Sequence, residues 1–469
     1  MDQTRLPCGQ YDYDLLVIGG GSGGLAVAKV VIIDFRCPPG LAGSSVNVGS
    51  IPRKLLHQAS PLGKAIQDMF VLLRVHMFCC YVLLWSVVSH GWGEMVEVVQ
   101  QHVKSVSFEL RRELRDSDVT YLNAHGEILV PHIVQVRPIT QPAETLVIAV
   151  GDRKQYLIIP GDREHCITRL ALMTCSLCPH SPGRTLIVGG SSEGLECAGF
   201  LFGLGLEVTV LVRSHLVPGF DHKRVQKIEN HMLVHGVEQI EAGSLKVTAV
   251  STVGRETLIC WGFTSTYLVL LAVGRDTCTS DIGIDHVGVK YNQETGKISV
   301  NEKEQSSVGY VYAMWAVQEG RSLTTALSMQ AGRLLAHRLY GGHSTTVRRQ
   351  GLGNVPTVMF PPMEYYSTCG LSEENAILKF GEDNVEVHIG RYLEGTRCYA
   401  KVICHIPDYI IENVVGLHVM GPSAGEVFQG FAVALRCGLI KQQLDTTVRL
   451  HPVCAQVSTP VSLPLHCNN

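Results

Sequence analysis

The sequence is poor in charge and has no apolar run of membrane-spanning length. Charged residues make up 17% of its 469 positions and the formal net charge is −3, so we predict neither a nucleic-acid partner nor a membrane partner. Its most apolar stretch, residues 69–92, is interrupted by Arg74 and His76. The uncharged run from Met77 has about 13 residues, whereas a transmembrane helix needs about 20.

This apolar stretch leaves three interpretations open. The favoured one is a buried helix, or a sequence that does not fit its fold and promotes aggregation. A membrane anchor is the second. A functional pair formed by the adjacent Cys79 and Cys80 is the third.

The sequence also lacks a secretory signal. Residues 1–14 contain no basic region followed by an apolar core, so we expect a cytoplasmic protein. Its 16 cysteines are then predicted to be reduced thiols and not a disulfide framework. Their spacing predicts no metal site. The length and the 46% hydrophobic content suffice for two to four domains with sizeable cores.

The first motif with a chemical meaning lies near the N-terminus. An apolar run at 15–18 predicts a buried strand, and Gly19, Gly21 and Gly24 follow it as G-x-G-x-x-G before a predicted helix. The glycines allow a tight turn and a close approach of the backbone to a ligand, and the helix N-terminus offers N–H groups to a pyrophosphate. This context predicts dinucleotide binding. The alternative is a glycine-rich turn without a ligand.

Asp34 ends the next predicted strand, where an acidic side chain would hold a ribose hydroxyl. It follows Gly24 by ten residues, against about 20 in the usual motif. Gly19 and Val30 are separated by about eleven residues, near the lower limit for a strand–helix–strand crossover. The intervening helix is therefore predicted to be about two turns short. The ribose role of Asp34 stays open for this reason.

A second unit of the same kind is predicted at residues 185–214. A strand at 185–188 leads into Gly189, a helix of small residues follows, and the next strand ends at Arg213 and Ser214. An arginine at this place suits the 2′-phosphate of NADP, whereas an acidic residue suits NAD. The alternative is a solvated arginine at a strand end.

The remaining segments complete the plan of the chain. Residues 268–279 predict a buried strand ending in a Gly-Arg-Asp turn, and residues 330–342 predict an amphipathic helix with a glycine stop. From about residue 347 short strands alternate with a helix, as in a separate α+β domain. We therefore predict an α/β protein with two Rossmann-like dinucleotide-binding domains and a C-terminal α+β domain.

Nine stretches, in the same order along the chain, together resemble the pyridine nucleotide–disulfide oxidoreductases, and among them the animal, selenocysteine-type thioredoxin reductases. These stretches are YDYDLLVIGGGSGGLA, SVNVGSIPRKLLHQA, LECAGFL, VTVLVRS, GRDTCT, QAGRLLAHRLY, CGLSEENA, GPSAGEV and HPVCAQV. The resemblance covers most of the chain except about 69–120 and the last dozen residues. It implies an FAD domain formed by residues 11–164 and 276–346, interrupted by an NADPH domain at 165–275 and followed by a dimerisation domain at 347–469. The family reaction passes electrons from NADPH through FAD and an active-site disulfide to thioredoxin.

The resemblance also assigns cofactor contacts. Besides the two nucleotide motifs already described, it implies such contacts for Gly151 and Gly274. Glu196 matches a carboxylate that pairs with a lysine near the flavin, and Arg53 stands at the lysine position. Arg53 with Lys54 is otherwise a solvated basic pair at a helix start.

The main departure from the family lies at residues 45–50, which read Ser-Val-Asn-Val-Gly-Ser. In the family this motif is Cys-Val-Asn-Val-Gly-Cys, and its cysteines form the disulfide that accepts electrons from the flavin. Ser45 and Ser50 replace both cysteines. A hydroxyl forms no disulfide and offers no thiolate at neutral pH, so disulfide reduction is predicted to be lost.

Other departures affect the same relay. His451 matches the acid–base histidine of the family, but Gln456 replaces the glutamate that orients it. Trp315 and Ala316 replace the Gly-Asp of the second flavin motif, which predicts a weakened FAD site. The Gly-Cys-Sec-Gly tail of the family has no counterpart in this sequence.

Several functions stay open from the sequence. The first is a thioredoxin-reductase-like flavoprotein that has lost disulfide reduction, with thioredoxin as a partner only if activity is retained. The alternatives are a residual NADPH-dependent flavin reductase for quinones or oxygen, a non-catalytic scaffold, and the product of a decayed gene copy. The dimerisation domain predicts a homodimer or a heterodimer with an active relative. Flavin retention separates the reductases from the scaffold.

Overall fold

The chain divides into two compact units, each assembled from separate stretches of sequence. Unit 1 comprises Met1–Leu56, His90–Ser181 and Leu271–Gln350, and unit 2 comprises His57–Ser89, Pro182–Leu270 and Gly351–Asn469. The domain boundaries predicted from the sequence stay a prediction. The computed structural model describes residues 11–28, 31–34, 41–73, 91–157, 162–168, 181–212, 238–241, 247–252, 255–260, 268–320, 324–342, 355–360, 365–392, 398–407, 411–421 and 423–448, with single positions between them.

Strands and helices alternate through most of the described residues. The strands are β1 (Tyr13–Ile18), β2 (Val31–Asp34), β3 (Thr120–Asn123), β4 (Gly126–Val130), β5 (Ile133–Val136), β6 (Ile139–Ile148), β7 (Asp152–Lys154), β8 (Ile167–Thr168), β9 (Thr185–Val188), β10 (Val208–Val212), β11 (Glu238–Glu241), β12 (Val247–Thr252), β13 (Arg255–Cys260), β14 (Leu268–Leu271), β15 (Arg275–Thr277), β16 (Val311–Ala313), β17 (Thr357–Met359), β18 (Tyr365–Gly370), β19 (Val385–Tyr392), β20 (Cys398–His405) and β21 (Asn413–Gly421). The helices are α1 (Ser22–Val27), α2 (Gly43–Asn47), α3 (Ser50–Leu73), α4 (Trp92–Asp116), α5 (Asp162–His165), α6 (Ser192–Gly203), α7 (Thr325–Tyr340), α8 (Glu373–Phe380), α9 (Ala424–Arg436) and α10 (Lys441–Thr446).

A mixed sheet forms the centre of unit 1. Its strand order is β3-β2-β1-β6-β5-β4, and β16 also pairs with β6. Strands β3, β2, β1, β6 and β16 run parallel to one another. Strand β5 pairs antiparallel with both β6 and β4. Leu16, Ile18, Leu146 and Ile148 have no exposed surface, because strands inside a parallel sheet are covered on both faces. The parallel strands place their carboxyl ends at one edge of the sheet, where ligands bind in folds of this type.

Helix α1 is short and depends on its neighbour. It has six residues, as the short predicted crossover requires, and so few residues do not form a stable helix in isolation. Helix α7 packs closely against it, since a Cβ on Gly332 would lie 2.7 Å from the Gly23 carbonyl oxygen and 2.8 Å from the Ala26 Cβ. Glycine at 332 therefore lets the two helices approach closely enough to hold the turn before α1.

Unit 2 contains a sheet in which β11, β10, β9 and β14 lie side by side in that order, and β10 runs parallel to both β11 and β9. Helix α6 follows β9 and buries Leu195, Phe200 and Leu201 completely. Gly203 lies against α3, where a Cβ would overlap the hydroxyl of Ser60. These contacts form the second strand–turn–helix–strand arrangement that the sequence predicts.

The C-terminal part of unit 2 is an antiparallel sheet packed against helices. The strand order is β17-β18-β21-β20-β19. Phe428 and Leu435 of α9 and Leu444 of α10 pack on Val402 and its neighbours. This arrangement is the α+β domain predicted from the sequence.

Unit 2 also buries a charged group. The Lys401 side chain is 1% exposed. Its ammonium group forms ion pairs with Asp221 and with Glu373, the latter at 2.6 Å. The Asp221 side chain is fully buried, and that of Glu373 is 17% exposed. A buried cation requires such pairing, because desolvation of an isolated charge costs several kcal/mol.

Most element predictions are confirmed. The predicted strand at 185–188 is β9, and the predicted helix at 330–342 is the second half of α7, which ends at Gly341. In the apolar stretch, residues 69–73 end α3, while 74–90 lie outside the described residues, so its interpretation stays open. None of the helices in the described ranges is both long and apolar enough to cross a bilayer. The seven cysteines whose side chains the structure describes form no disulfide.

Candidate functional site

The glycine-rich turn after β1 lies at the carboxyl edge of the unit 1 sheet. Gly19 has φ of +116°, and a Cβ there would overlap the Ala149 carbonyl oxygen at the end of β6. The Ala149 N–H donates to the Ile18 carbonyl at 2.8 Å, and the Met314 N–H donates to Ile148 at 2.8 Å. The ends of β1, β6 and β16 therefore meet tightly at this turn, where only glycine fits at position 19.

Gly21 and Gly24 differ in what surrounds them. A Cβ on Gly24 would overlap the Gly19 carbonyl oxygen, so position 24 is closed by the turn itself. A Cβ on Gly21 would meet only the Gly43 Cα, at 3.9 Å. Gly21 precedes α1 with φ of −78° and ψ of −178°, which any residue adopts. Packing and backbone conformation thus require glycine at 19 and 24, whereas at 21 the open space suits a ligand that approaches the backbone.

A second loop supports the turn. The Ala42 N–H donates to the Gly20 carbonyl at 2.8 Å. Gly43 has φ of +62°, and a Cβ on it would lie 2.7 Å from the Gly21 Cα. The segment that leads to the two serines is therefore in direct contact with the glycine-rich turn.

The two serines lie on consecutive helices joined by a tight turn. Ser45 is in α2 and Ser50 begins α3, and both are partly buried. A Cβ on Gly49 would lie 2.5 Å from the Ser44 carbonyl oxygen and 3.1 Å from the Ser45 Cα. The chain therefore folds back on α2 immediately before Ser50. The Ser45 hydroxyl accepts a hydrogen bond from the Thr325 hydroxyl at 3.4 Å.

Asn47 and Thr325 are site residues that the sequence analysis did not single out. The Asn47 amide donates to the Leu41 carbonyl at 2.7 Å and to the Gly43 carbonyl at 3.0 Å, and its oxygen accepts from the Ser107 hydroxyl. Asn47 therefore fixes the loop that contacts the turn. The position of Asn47 between Ser45 and Ser50 was the sequence feature that could have indicated this structural role. Thr325 lies 280 residues from Ser45 in sequence, and no local pattern connects them.

The end of β16 carries the second flavin-motif positions. Gln318 is fully buried and donates to the Ala313 carbonyl at 2.6 Å. Trp315 and Ala316 lie in a 3₁₀ turn that begins directly after Met314. The side chain of Trp315 lies outside the described residues, so the weakened FAD site stays a prediction.

Gly151 and Gly274 immediately precede two antiparallel strands of unit 1, β7 and β15. The Cys278 N–H donates to the Gly151 carbonyl at 3.2 Å, and Gly274 has φ of +144°. Arg275 and Asp152 link the two strands by an ion pair of 2.7 Å whose side chains are 19% and 7% exposed. Both glycines therefore have backbone roles in this connection, and their cofactor contacts stay predictions.

The second nucleotide motif lies in unit 2 at the start of α6. Gly189 has φ of +117°, and its N–H donates to the Leu211 carbonyl at 2.9 Å. The Ser191 hydroxyl caps α6 by accepting from the Gly194 N–H at 3.2 Å. Glu193 lies in the first turn, where a carboxylate interacts favourably with the helix dipole and competes with an anionic ligand. The fold thus supplies the predicted glycine turn at a helix start, and phosphate binding there stays a prediction.

Arg53 and Glu196 belong to different units. Arg53 lies in the first turn of α3, and its N–H donates to the Gly49 carbonyl at 3.1 Å. Glu196 lies on α6, is 2% exposed, and accepts a hydrogen bond from the Phe360 N–H at 3.2 Å. Their predicted charge pair stays a prediction.

Several predicted site residues lie outside the described residues. Asp34 ends β2, but its side chain is not described. The others are wholly outside: Arg213, Ser214, His451 and Gln456. Residues 175–178 read Cys-Ser-Leu-Cys, a C-x-x-C pair that the sequence analysis missed, and they also lie outside the described residues.

Comparison with known proteins agrees with this geometry. Residues 13–332 match the family described as pyridine nucleotide-disulphide oxidoreductase, and residues 355–460 match the dimerisation domain of the same family. The thioredoxin reductase SEP1 of Emiliania huxleyi is 40% identical over 494 aligned positions, which cover 95% of each chain.

Proposed function

Because the chain belongs to the pyridine nucleotide-disulphide oxidoreductase family, we propose that it is a thioredoxin-reductase-like flavoprotein that does not reduce disulfides by the family route. The observation that carries the proposal is the pair Ser45 and Ser50. They occupy the two motif positions on the loop that contacts the glycine-rich turn.

The chemistry of these two side chains supports the proposal. Thiol–disulfide exchange needs a thiolate that attacks and a thiol that leaves. A serine hydroxyl stays protonated at neutral pH, and two hydroxyls form no covalent link that could store two electrons. The Ser45 hydroxyl instead accepts a hydrogen bond from Thr325, which fixes it as a neutral polar contact. The loop keeps its structural role without its redox role.

The family uses FAD and NADPH, and the residues of the turn fit a bound dinucleotide. Gly19 and Gly24 close the turn, and Gly21 leaves its outer side open for a pyrophosphate. When bound, FAD supplies two-electron chemistry between NADPH and an acceptor. The residues proposed to hold it are Gly19, Gly21, Gly24 and Asp34. Gly189, Arg213 and Ser214 are proposed to hold NADPH, while Ala316 offers no hydrogen bond where the family has aspartate.

A second candidate is a dimer partner without catalysis. Residues 355–460 match the dimerisation domain, and the described antiparallel sheet there has a complete apolar core. A homodimer and a heterodimer with an active relative are both consistent with this match.

The absence of disulfides among the described cysteines supports a cytoplasmic location, because the cytosol keeps thiols reduced.

The visible absorbance spectrum of the purified protein, before and after anaerobic NADPH, tests the proposal. We expect a yellow protein whose flavin band bleaches with NADPH, and no NADPH-dependent reduction of thioredoxin. Thioredoxin reduction at a rate typical of the family would refute the proposal. A colourless protein that is dimeric by light scattering would support the dimer partner instead. Bleaching followed by oxidation with a quinone or oxygen would identify a residual flavin reductase.

A further inference from the structure

The C-terminal sheet of unit 2 brings together three different metal-binding side chains that are far from the nucleotide turns in sequence. His388 lies on β19, Cys404 lies on β20, and Glu412 immediately precedes β21. One ligand atom from each lies within 4.8 Å of those of the other two. The His388 Nε2 lies 3.0 Å from a carboxylate oxygen of Glu412.

The strand register explains why these side chains share one face. Glu386 pairs directly with Cys404 across β19 and β20, and His388 is two residues further along β19. Side chains two residues apart on a strand point to the same face. Cys404 also pairs with Val414, and Glu412 is two residues before Val414. A register shift between Ile403 and Cys404 marks a bulge, and bulges often redirect a side chain next to a functional site.

We propose that His388, Cys404 and Glu412 form a zinc site in the C-terminal domain, with Glu386 as a fourth ligand. An imidazole, a thiolate and a carboxylate are the three ligand types that zinc accepts, whereas magnesium and calcium prefer oxygen alone. In tetrahedral coordination, ligand atoms lie about 3.3–3.8 Å apart. The His388–Glu412 distance of 3.0 Å is slightly below this range, and the distances from Cys404 to both are at most 4.8 Å, so the ion requires only small shifts of these side chains. A carboxylate oxygen of Glu386 lies 4.0 Å from the same His388 nitrogen.

The charges around the cluster suit a divalent cation. Lys441 is the neighbouring cation, and its ammonium contacts both carboxylate oxygens of Asp445 at 2.6 Å, which neutralises it. Desolvation by burial, followed by the charge of Glu412, raises the pKa of the Cys404 thiol. Zinc binding would displace the thiol proton to solvent and form a Zn–S bond, and the thiolate and Glu412 would then balance the charge of the ion.

The burial of the cluster also suits a metal site with an entry path. Cys404 is fully buried and His388 is 4% exposed, so the two softer ligands lie in the core. The side chains of Glu386 and Glu412 are 32% and 35% exposed, so the two carboxylates lie at the rim where an ion enters.

Zinc binding to the purified full-length protein tests the site. After removal of metal by a chelator, zinc chloride alone is added, and bound zinc per chain is measured by atomic emission spectroscopy. The matched variants are Cys404→Ser and Cys398→Ser, since both cysteines are buried on β20. We expect wild type and Cys398→Ser to bind one equivalent, and Cys404→Ser to bind at least tenfold more weakly. Cobalt bound in place of zinc should show a thiolate-to-metal charge-transfer band in the difference spectrum.

Two results would overturn the proposal. One is the absence of tight zinc binding by wild type, and the other is equal binding by wild type and Cys404→Ser. Circular dichroism of each metal-depleted variant checks its folding. If Cys404→Ser does not fold, the variant Glu412→Gln replaces it in the binding measurement. Zinc binding that is at least tenfold weaker than in wild type supports the site, and unchanged binding refutes it.

Discussion

Replacement of Gly21 by alanine tests whether glycine at this position serves cofactor binding or only the folding of the turn. Gly21 has an extended backbone, and the nearest atom to an added Cβ is 3.9 Å away. The unfolding free energy of Gly21→Ala should therefore change by less than about 1 kcal/mol. The added methyl occupies the side of the turn on which a pyrophosphate would approach, so FAD binding should weaken strongly.

The expected size of this effect follows from the backbone N–H groups at the turn. One hydrogen bond to a charged group contributes about 1.5–3 kcal/mol. Displacement of the pyrophosphate from a single N–H would therefore raise the Kd for FAD by about tenfold to a hundredfold. Fluorescence titration of the flavin-depleted protein with FAD measures the Kd, and urea denaturation measures the stability.

Two other glycines serve as controls. Gly24→Ala introduces a Cβ that overlaps the Gly19 carbonyl oxygen, so it should lose about 1–3 kcal/mol of stability as well as flavin. Gly430 lies on the exposed face of α9, and an added Cβ there would have no atom within 4 Å. Gly430→Ala should therefore stabilise the folded protein by up to about 1 kcal/mol and leave FAD binding unchanged. Equal FAD affinity of Gly21→Ala and wild type would refute pyrophosphate binding at the glycine-rich turn.

Three further changes test other parts of the molecule. The double variant Ser45→Cys with Ser50→Cys should not restore thioredoxin reduction, because Gln456 still replaces the glutamate that orients the acid–base histidine of the family. Substantial turnover in a coupled NADPH assay would contradict our account of the relay. Trp315→Gly with Ala316→Asp should raise the flavin content per chain, measured by absorbance after denaturation. An unchanged content would show that the defect lies elsewhere, at the short helix before β2. Lys401→Met leaves two carboxylates without their cation and should cost about 3–5 kcal/mol in urea denaturation. A loss below about 1 kcal/mol would mean that the buried ion pairs contribute little.

The sequence predicted the two strand–turn–helix motifs well because each depends on local constraints. The apolar run before Gly19 marks a strand, and the glycine spacing marks the turn that follows it. The short crossover likewise predicted a short helix, and α1 has six residues. The same local reasoning located β9 and the end of α7 at Gly341.

The candidate zinc site was not predictable in this way. The sequence analysis predicted no metal site, because His388, Cys404 and Glu412 have no motif spacing. Their proximity depends on the pairing of three strands and on a bulge, which the linear pattern does not encode. Likewise, Thr325 reaches Ser45 only because α7 packs against the glycine-rich turn.

By itself, the sequence determined the family, the order of the nucleotide-binding and dimerisation segments, and the presence of serine at positions 45 and 50, since each depends on contiguous residues. Tertiary structure alone decided that position 21 is open while positions 19 and 24 are closed. It also decided which side chains share a face of the C-terminal sheet. The physical reason is that motifs report what a backbone needs locally, whereas space and proximity arise from packing between segments distant in sequence.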